Sequence, residues 1–286
     1  MLILNKKYKK LKNLLIISFV FFILLPTLGL GLFAFFTTET LISRKIAEST
    51  INSISQINLS IEKDAWNIDE LLDRIIMNEQ LQDIIAHTDF KTFYSKLRDT
   101  CTILNRIIDE ALVSSKIKNN VNILIISLDK GFYWFNEKIY LDESEIRNSK
   151  WYSDSIELGG RLNWHGMSKS RSIINCNSYV FEASRAIISI KSFKMIGVIY
   201  FSVDESIFQP LFNQFPSSQS FYVINSDMEI LMSSDKTMPD PEVEFKSFIR
   251  PDNQQPGSFR KKIDRQDYLF VYSNPNRYGW RVVSKI

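Results

Sequence analysis

Aromatic and charged side chains concentrate in the middle of the chain, in a combination that is typical of a small-molecule site. Tryptophan and tyrosine provide flat apolar walls with one polar group each, and arginine forms paired hydrogen bonds with carboxylates. We predict from these properties that a ligand contacts the following residues: Trp134, Trp151, Tyr152, Trp164, Tyr179, Glu182 and Arg185. Packing of the aromatic residues in a core, without a ligand, is the alternative.

Arg185 lies within an otherwise apolar segment, Ser178 to Ile190, which is predicted to form a strand. An unpaired charge inside a protein is unfavourable. Two explanations are consistent with the sequence. Either a bound anion or Glu182 neutralises the guanidinium group, or Arg185 lies on an edge strand and extends its charged end into water.

Residues suited to catalysis or metal binding are scarce. The chain has only two histidines, His87 and His165, and two cysteines, Cys101 and Cys176. It contains no Gly-x-Ser-x-Gly or His-Glu-x-x-His motif and no glycine-rich phosphate loop. We therefore predict no catalytic residue, no metal site and no cofactor. A free thiol at Cys101 is expected, and a disulfide bond between Cys101 and Cys176 is the alternative.

The distribution of charge argues against nucleic-acid binding. The chain has 35 basic and 32 acidic residues, which gives a net charge of +3. Five of the basic residues are lysines among the first twelve positions, so the rest of the chain has 30 basic against 32 acidic residues. A nucleic-acid surface requires a concentrated basic patch. The sequence therefore predicts no nucleic-acid partner.

The segment Leu14 to Phe36 contains no charged residue. A helix of this length crosses about 30 Å of hydrocarbon, so a lipid bilayer is the expected partner. Because the lysines precede this segment, the positive-inside rule predicts a cytoplasmic tail (residues 1–13), a transmembrane helix (14–36) and an extracellular remainder (37–286). A cleaved signal peptide is the alternative, although the aromatic residues that end the apolar run differ from a small-residue cleavage site.

Two apolar stripes predict a helical stalk over residues 37–118. The first stripe runs from Ile54 to Ile75 at steps of three or four residues, and no Gly or Pro occurs between Thr38 and Met77. A single long helix is expected there. The second stripe runs from Phe93 to Ala111 and predicts another helix, with Cys101 on its buried face.

Beyond residue 119 the hydrophobic pattern becomes that of strands and turns. Residues 121–128 and 132–135, joined by Asp129-Lys130-Gly131, predict a hairpin. A helix over 142–154, a loop at Trp164-His165-Gly166 and strands over 178–190 and 195–203 follow. A second hairpin over 220–232, a polar loop from Ser233 to Pro256 and strands over 268–272 and 280–284 repeat this pattern. We predict an α+β fold with two PAS-like units that contain antiparallel sheets, over residues 119–203 and 204–286.

Four segments, in this order, resemble the extracellular double Cache (dCache) sensor domain of bacterial membrane receptors. They read VNILIISLDKGFYWFN, FEASRAIISIKSFKMIGVIYFSVD, SFYVINSDMEILMSSD and YGWRVVSKI. Together with the anchor, the resemblance extends over essentially the whole chain and is greatest to the sensor half of YesM-like histidine kinases. It implies a membrane-distal Cache unit over 119–203, a membrane-proximal unit over 204–286, and a small-molecule ligand in the distal unit.

Two features differ from the family pattern. Amino-acid-sensing members carry Arg-x-Trp-Tyr above the pocket, whereas this chain has Ser149-Lys150-Trp151-Tyr152, so the identity of the ligand stays unknown. In complete receptors the closing strand leads into a second transmembrane helix and an output domain. This sequence stops at Ile286, and the expectation is either the sensor portion of a split receptor or a stand-alone module.

These observations predict an extracellular ligand-sensing module of a bacterial signal-transduction receptor, related to the sensor half of a two-component histidine kinase. Such a module is not an enzyme and acts as a homodimer or with a partner signalling protein. A membrane-anchored structural or adaptor protein, and the sensor of a chemoreceptor or of a membrane-bound transcription regulator, are the alternatives.

Overall fold

The computed structural model describes residues 12–91, 94–113, 115–135, 142–169, 179–213, 219–234, 245–250, 252–263 and 265–286. The chain divides into two compact units, Met1–Asn52 and Ser53–Ile286. All strands and the candidate site belong to the second unit.

The first unit is helical over its described residues. A short π-helix, Val20–Leu24, precedes the α-helix α1, Leu25–Ile76. Pro26 lacks the backbone N–H that would continue the α-helical pattern, and a π-turn is one way in which a helix accommodates such an interruption. The Thr27 hydroxyl also donates to the Ile23 carbonyl at 2.5 Å.

The helical segment Lys12–Ile76 is long and apolar enough to cross a membrane, and it alone meets that test among the described residues. Its most apolar window has a mean hydropathy of 2.5 and is unburied. The large apolar side chains of the predicted span, Leu14 to Phe36, are exposed. Such side chains are stable in hydrocarbon and costly in water.

Among the described residues, the second unit has five further α-helices: α2 (Glu79–His87), α3 (Tyr94–Leu112), α4 (Glu143–Arg147), α5 (Lys150–Glu157) and α6 (Gln209–Phe212). Side-chain caps explain two of the helix starts. Asn78 accepts a hydrogen bond from Leu81 N at 2.9 Å, and Asp142 forms a capping box with Glu145. The single helix predicted over 142–154 is in fact two helices, because Asn148 ends α4 and Ser149 starts α5.

Two five-stranded antiparallel sheets follow. The first sheet contains β1 (Val121–Ser127), β2 (Phe132–Phe135), β3 (Asn163–Lys169), β4 (Tyr179–Ile188) and β5 (Met195–Asp204) in the order β2-β1-β5-β4-β3. The second sheet contains β6 (Ser220–Ile224), β7 (Ile230–Ser233), β8 (Gly257–Ile263), β9 (Gln266–Tyr272) and β10 (Arg281–Lys285) in the order β7-β6-β10-β9-β8. The two orders are equivalent, which confirms the predicted α+β class with two antiparallel sheets.

Two edge strands differ from the prediction. Trp164-His165-Gly166 was predicted in a loop but lies in β3, where a β-bulge falls between Trp164 and Gly166. Gly166 has a φ of +80°, which glycine adopts without strain. The strand β8 reads GSFRKKI and alternates between half-buried and exposed residues. Polar and charged side chains on edge strands hide the apolar pattern by which strands are predicted.

Helices α1, α2 and α3 pack against one face of the first sheet. The stripe from Ile54 to Ile75 on α1 is buried, as predicted. Helix α2 contacts β1 and β5, and α3 contacts β2. Cys101 on α3 is a free thiol and is half-buried rather than buried, whereas Cys176 lies outside the described residues. Burial raises the pKa of the Cys101 thiol.

Candidate ligand-binding cup of the first sheet

Residues opposite each other on neighbouring strands share one face of a sheet. In the first sheet, Leu124 lies opposite Trp134 and Tyr200, Tyr200 lies opposite Ser184, and Ser184 lies opposite Asn163. These residues define the face that we call the first cup. The other face carries Phe181 and its neighbours and packs against α1, α2 and α3.

Helices α4 and α5 cover part of the first cup. Trp151 packs on Tyr200 with a centroid distance of 4.6 Å and on Tyr152 in an edge-on arrangement at 6.0 Å. A buried apolar cluster fills the space beneath these helices: Leu124, Ile126, Ile146, Tyr152, Val198 and Tyr200. This half of the cup is therefore a packed core made of the protein's own side chains.

Arg147 fixes the turn between α4 and α5 to the sheet. Its guanidinium group donates to the Tyr152 hydroxyl and the Ser127 carbonyl, both at 2.9 Å, and forms an ion pair with Glu143 at 2.7 Å. Burial alone would raise the pKa of Glu143, but hydrogen bonds and charge from Arg147 and Lys91 outweigh it and lower this pKa. Arg147 is thus fully engaged in holding Tyr152 in place.

The next row of residues across the first cup is polar. Ser202 lies opposite Asn122 on β1 and Glu182 on β4, and Glu182 lies opposite Gly166 on β3. Ser202 is fully buried, yet its hydroxyl has no hydrogen-bond partner among the described residues. A buried hydroxyl without a partner is unfavourable. A ligand that hydrogen-bonds to Ser202 would remove this cost.

His165 connects three elements at the edge of the first cup. Its Nε2 lies 2.6 Å from the Ser184 hydroxyl, which in turn lies 2.5 Å from the Ser155 hydroxyl on α5. Burial lowers the pKa of His165 to about 4, although Asp154 acts in the opposite direction and Lys150 reinforces the shift. His165 is therefore neutral at neutral pH and joins β3, β4 and α5 through hydrogen bonds.

The structure brings four of the predicted site residues to the first cup. Trp134, Trp151, Tyr152 and Glu182 all lie on or over this face, and Trp134 is 37% exposed. Sequence reasoning did not select Asn122, Ser202 or His165. Because Asn122 and Ser202 alternate with buried apolar residues along β1 and β5, the period of two could have assigned them to this face.

Arg185 and Trp164 lie on the opposite face of the sheet. Arg185 forms ion pairs with Asp69 at 3.2 Å and Asp73 at 2.7 Å on α1 and donates to the Gly160 carbonyl at 2.5 Å. The Asp73 pair is a close charge contact without hydrogen-bond geometry. Neither predicted explanation of Arg185 describes this arrangement, since β4 is not an edge strand and the compensating carboxylates come from a helix.

Trp164 packs in an aromatic cluster, at centroid distances of 5.2 Å from Phe181 and 5.3 Å from Trp280. Tyr179 alternates with Val180 along β4 and therefore shares the face of Phe181. The structure thus does not bring Trp164, Tyr179 and Arg185 together with the other predicted ligand residues.

The equivalent face of the second sheet, which we call the second cup, is closed. Phe259 stacks on Phe248 at 4.5 Å and on Phe270 at 5.0 Å. Arg281 is 1% exposed there and donates to the Ser273 carbonyl at 3.3 Å and to the Asn253 carbonyl. Burial lowers the pKa of Arg281, and the charge of Tyr272 opposes this effect.

Comparison with solved structures identifies proteins of the same architecture. The periplasmic sensory domain of the Campylobacter jejuni chemoreceptor Tlp1 is 12% identical over 85% of this chain and 95% of that chain, with a TM-score of 0.61. The ligand-binding domain of the Pseudomonas fluorescens chemoreceptor CtaA, in complex with L-isoleucine, is 11% identical over 88% and 96%, with a TM-score of 0.58. The ligand-binding domain of Mlp24 with asparagine is 12% identical over 85% and 93%, with a TM-score of 0.55.

The chain has the fold of a chemoreceptor sensory domain. No protein-family model matches the sequence, and no curated protein matches it at a significant level. The identity to these sensory domains is too low to transfer a ligand or a binding residue. Their fold nevertheless matches the two-sheet architecture that the resemblance to double Cache domains predicted.

Proposed function

We propose that the chain is the extracellular ligand-sensing module of a signal-transduction receptor and that it binds a small polar molecule in the first cup. The observation that carries this proposal is the row of Asn122, Ser202 and Glu182 beside the aromatic wall of Trp134 and Trp151. Ser202 is the decisive member, because its hydroxyl is fully buried and has no partner among the described residues. Aromatic walls with a few convergent polar groups are typical of small-molecule sites.

The chemistry of this row favours ligands that donate hydrogen bonds. Glu182 and the Asn122 amide oxygen accept hydrogen bonds, and the Ser202 hydroxyl accepts and donates. Hydroxyl or ammonium groups are therefore the expected complement. Amino acids belong to this class, and two of the similar sensory domains were solved with L-isoleucine and asparagine. Ser149 stands where amino-acid-sensing Cache domains have arginine, so sugars and amines belong in the same screen.

The membrane arrangement follows from the first unit. The exposed apolar helix that contains Leu14 to Phe36 is the proposed transmembrane span. The lysine-rich residues 1–13 would lie in the cytoplasm and residues 37–286 outside the cell. We infer that the module relays its signal through a homodimer or a partner protein, and the output of a YesM-like histidine kinase is the form that the resemblance favours.

One observation favours a second candidate, a membrane-anchored adaptor that binds no ligand. The half of the first cup beneath α4 and α5 is filled by a buried cluster that includes Ile146, Tyr152 and Tyr200. If the polar row were filled in the same way, the cup would be an ordinary core. The two candidates therefore differ in whether any small molecule binds beside Ser202.

A thermal-unfolding screen of the full chain in lipid nanodiscs tests the proposal. The probes are single amino acids, organic acids, sugars and polyamines. A ligand that binds only the folded state raises the unfolding midpoint progressively as its concentration exceeds the dissociation constant. We expect one class to do so, and we expect Trp151→Ala to abolish the effect.

The matched control is Phe193→Ala, which removes an aromatic ring that is 84% exposed in a turn outside the cup. This variant should keep the ligand-dependent shift. A shift that persists in both Trp151→Ala and Ser202→Ala would show that the ligand binds elsewhere. No shift from any class would support the adaptor instead.

A further inference from the structure

A groove on the side of α1, separate from the first cup, has the features of a second binding site. It has a volume of about 570 Å³. Its walls are one face of α1, the loop after α3 and the segment between β5 and the second sheet. The residues at its apolar floor are Ile68, Leu71, Ile117, Ile207, Pro210 and Leu211. We call this feature the α1 groove.

The carboxylate of Asp64 lies in the wall of the α1 groove without a direct partner. Among the residues that the structure describes, Asp64 forms neither a hydrogen bond nor an ion pair. Burial raises its pKa, and the charges of Lys116 and Lys63 oppose this effect from a distance. Asp69 and Asp73, five and nine residues further along α1, are both paired with Arg185. Asp64 is therefore a partly desolvated carboxylate that has no direct partner among the described residues and feels the charges of Lys116 and Lys63 only from a distance.

The opposite wall carries positive charge. Lys116 belongs to the loop after α3 and, within the described part of the chain, forms no ion pair, although its charge acts on Asp64. The α1 wall itself also carries Lys63, Glu70 and Arg74. A molecule that carried an ammonium group toward Asp64 and a carboxylate toward Lys116 would pair with both of these groups. The aliphatic part of such a molecule would cover the apolar floor, where burial is favourable.

We propose that the α1 groove binds a small aliphatic zwitterion, with Asp64 contacting its ammonium group and Lys116 its carboxylate. This site is independent of the proposed ligand in the first cup. It would link α1 to the segment Glu205–Phe212, which connects the two sheets.

The test is calorimetric titration of the full chain in nanodiscs with three probes. The first is 4-aminobutanoate, which has both charges; butylamine lacks the carboxylate and butanoate lacks the ammonium group. We expect 4-aminobutanoate to bind about tenfold or more tightly than either analogue, as the loss of one ion pair in a partly desolvated site implies. Absence of binding by all three at about 10 mM, where even weak complexes form, would overturn the proposal.

Two variants test which residue contacts which charged group of the probe. Asp64→Asn should weaken 4-aminobutanoate and butylamine about tenfold and leave butanoate unchanged, and Lys116→Gln should weaken 4-aminobutanoate and butanoate. The control Asp109→Asn neutralises a carboxylate on α3 that pairs with Lys118 outside the groove, and it should change nothing. Unchanged thermal midpoints without probe show that the variants fold.

The outcome also separates the two sites. If Trp151→Ala abolishes 4-aminobutanoate binding while Asp64→Asn and Lys116→Gln leave it intact, the probe occupies the first cup. The groove proposal is then wrong, and the proposed sensing function stands. If Asp64→Asn and Lys116→Gln weaken binding and Trp151→Ala leaves it intact, the groove is the site whatever the screen of the first cup shows.

Discussion

The first and second cups have the same strand order but different contents. In the second cup, Phe259 stacks on Phe248 and on Phe270 with an angle of 4° between the ring planes in each pair, and apolar neighbours complete the core. In the first cup, α4 and α5 close one half, and the other half presents the polar row of Asn122, Ser202 and Glu182. The two cups have the same scaffold, and one row of side chains makes the difference between a stabilising core and a candidate binding site.

The arginine side chains of the two sheets have different partners. Arg281 in the second sheet is held by backbone carbonyls and ties the segment around Asn253 to β10. Arg185 in the first sheet is held by Asp69 and Asp73 and ties β4 to α1. Only the first sheet is therefore joined to the long helix by ion pairs among the described residues. Because Ser184 of the first cup is the neighbour of Arg185 in β4, this connection lies next to the proposed ligand.

The largest expected effect is a difference in stability loss between a variant in the second cup and a variant in the first cup. Phe270→Ala in the second cup should reduce the free energy of unfolding by about 3 to 5 kcal/mol, because it leaves a cavity at a fully buried side chain. Trp151→Ala should cost clearly less, since Trp151 is only half-buried. Urea unfolding of the full chain measures both values.

The exposed Phe193→Ala serves as the reference for these two variants and should change stability by less than about 0.5 kcal/mol. Equal losses for Phe270→Ala and Trp151→Ala would mean that the first cup is as tightly packed as the second. The distinction between a core and a site would then disappear.

The next effect concerns the connection between β4 and α1. Arg185→Met removes the cation between Asp69 and Asp73 and leaves two neighbouring carboxylates without an ion-pair partner among the described residues, with only the charge of Arg277 acting on Asp69. The pair is partly exposed, so we expect a loss of about 2 kcal/mol rather than the larger cost of a fully buried pair. Arg106→Met breaks an exposed pair with Glu110 on α3 and should cost less than about 0.5 kcal/mol. Similar losses in urea unfolding would show that Arg185 adds no special stability.

Acid should destabilise the first sheet through His165. The folded pKa of about 4 lies below the ordinary value of 6.5, so the unfolded chain binds the proton first as pH falls. The stability is fully present above pH 6.5 and is lost progressively between pH 6.5 and about 4. After allowance for partial exposure, the loss is about 2 kcal/mol.

His165→Gln keeps hydrogen-bonding groups near Ser184 but cannot be protonated. The free energy of unfolding should therefore fall less between pH 6.5 and 4 in this variant than in the wild type. Urea unfolding at several pH values measures this difference. Asp154 and Lys150, which face His165, are unchanged in both proteins and cancel in the comparison. If the free energy of unfolding falls equally with pH in both proteins, another group causes the acid sensitivity.

The sequence predicted the architecture better than the site, and particular residues show why. The stripe from Ile54 to Ile75 and the hairpin of β1 and β2 have strong local periods, so their elements were predicted correctly. Arg185 was assigned to the pocket because its partners, Asp69 and Asp73, are more than a hundred residues away in the sequence. Strand neighbours such as Ser184 and Arg185 point to opposite faces of the sheet. The pairing of β4 with β5 determines which of them faces the cup, and this pairing cannot be read from the sequence.

The smallest expected effect on stability is also the sharpest test of the comparison. Ser202 and Ser284 are both fully buried serines whose hydroxyl groups have no partner among the described residues. Replacing either with alanine removes a desolvated hydroxyl, so both Ser202→Ala and Ser284→Ala should leave stability within about 1 kcal/mol of the wild type or raise it slightly. Ser202 faces the first cup, whereas Ser284 lies opposite Phe221 and Val271 in the second sheet, on the face away from Arg281. The ligand-dependent rise in unfolding midpoint should therefore vanish in Ser202→Ala and persist in Ser284→Ala. If both variants keep the rise, the unpaired hydroxyl of Ser202 is a tolerated defect of packing, and the first cup differs from the second only in how completely it is filled.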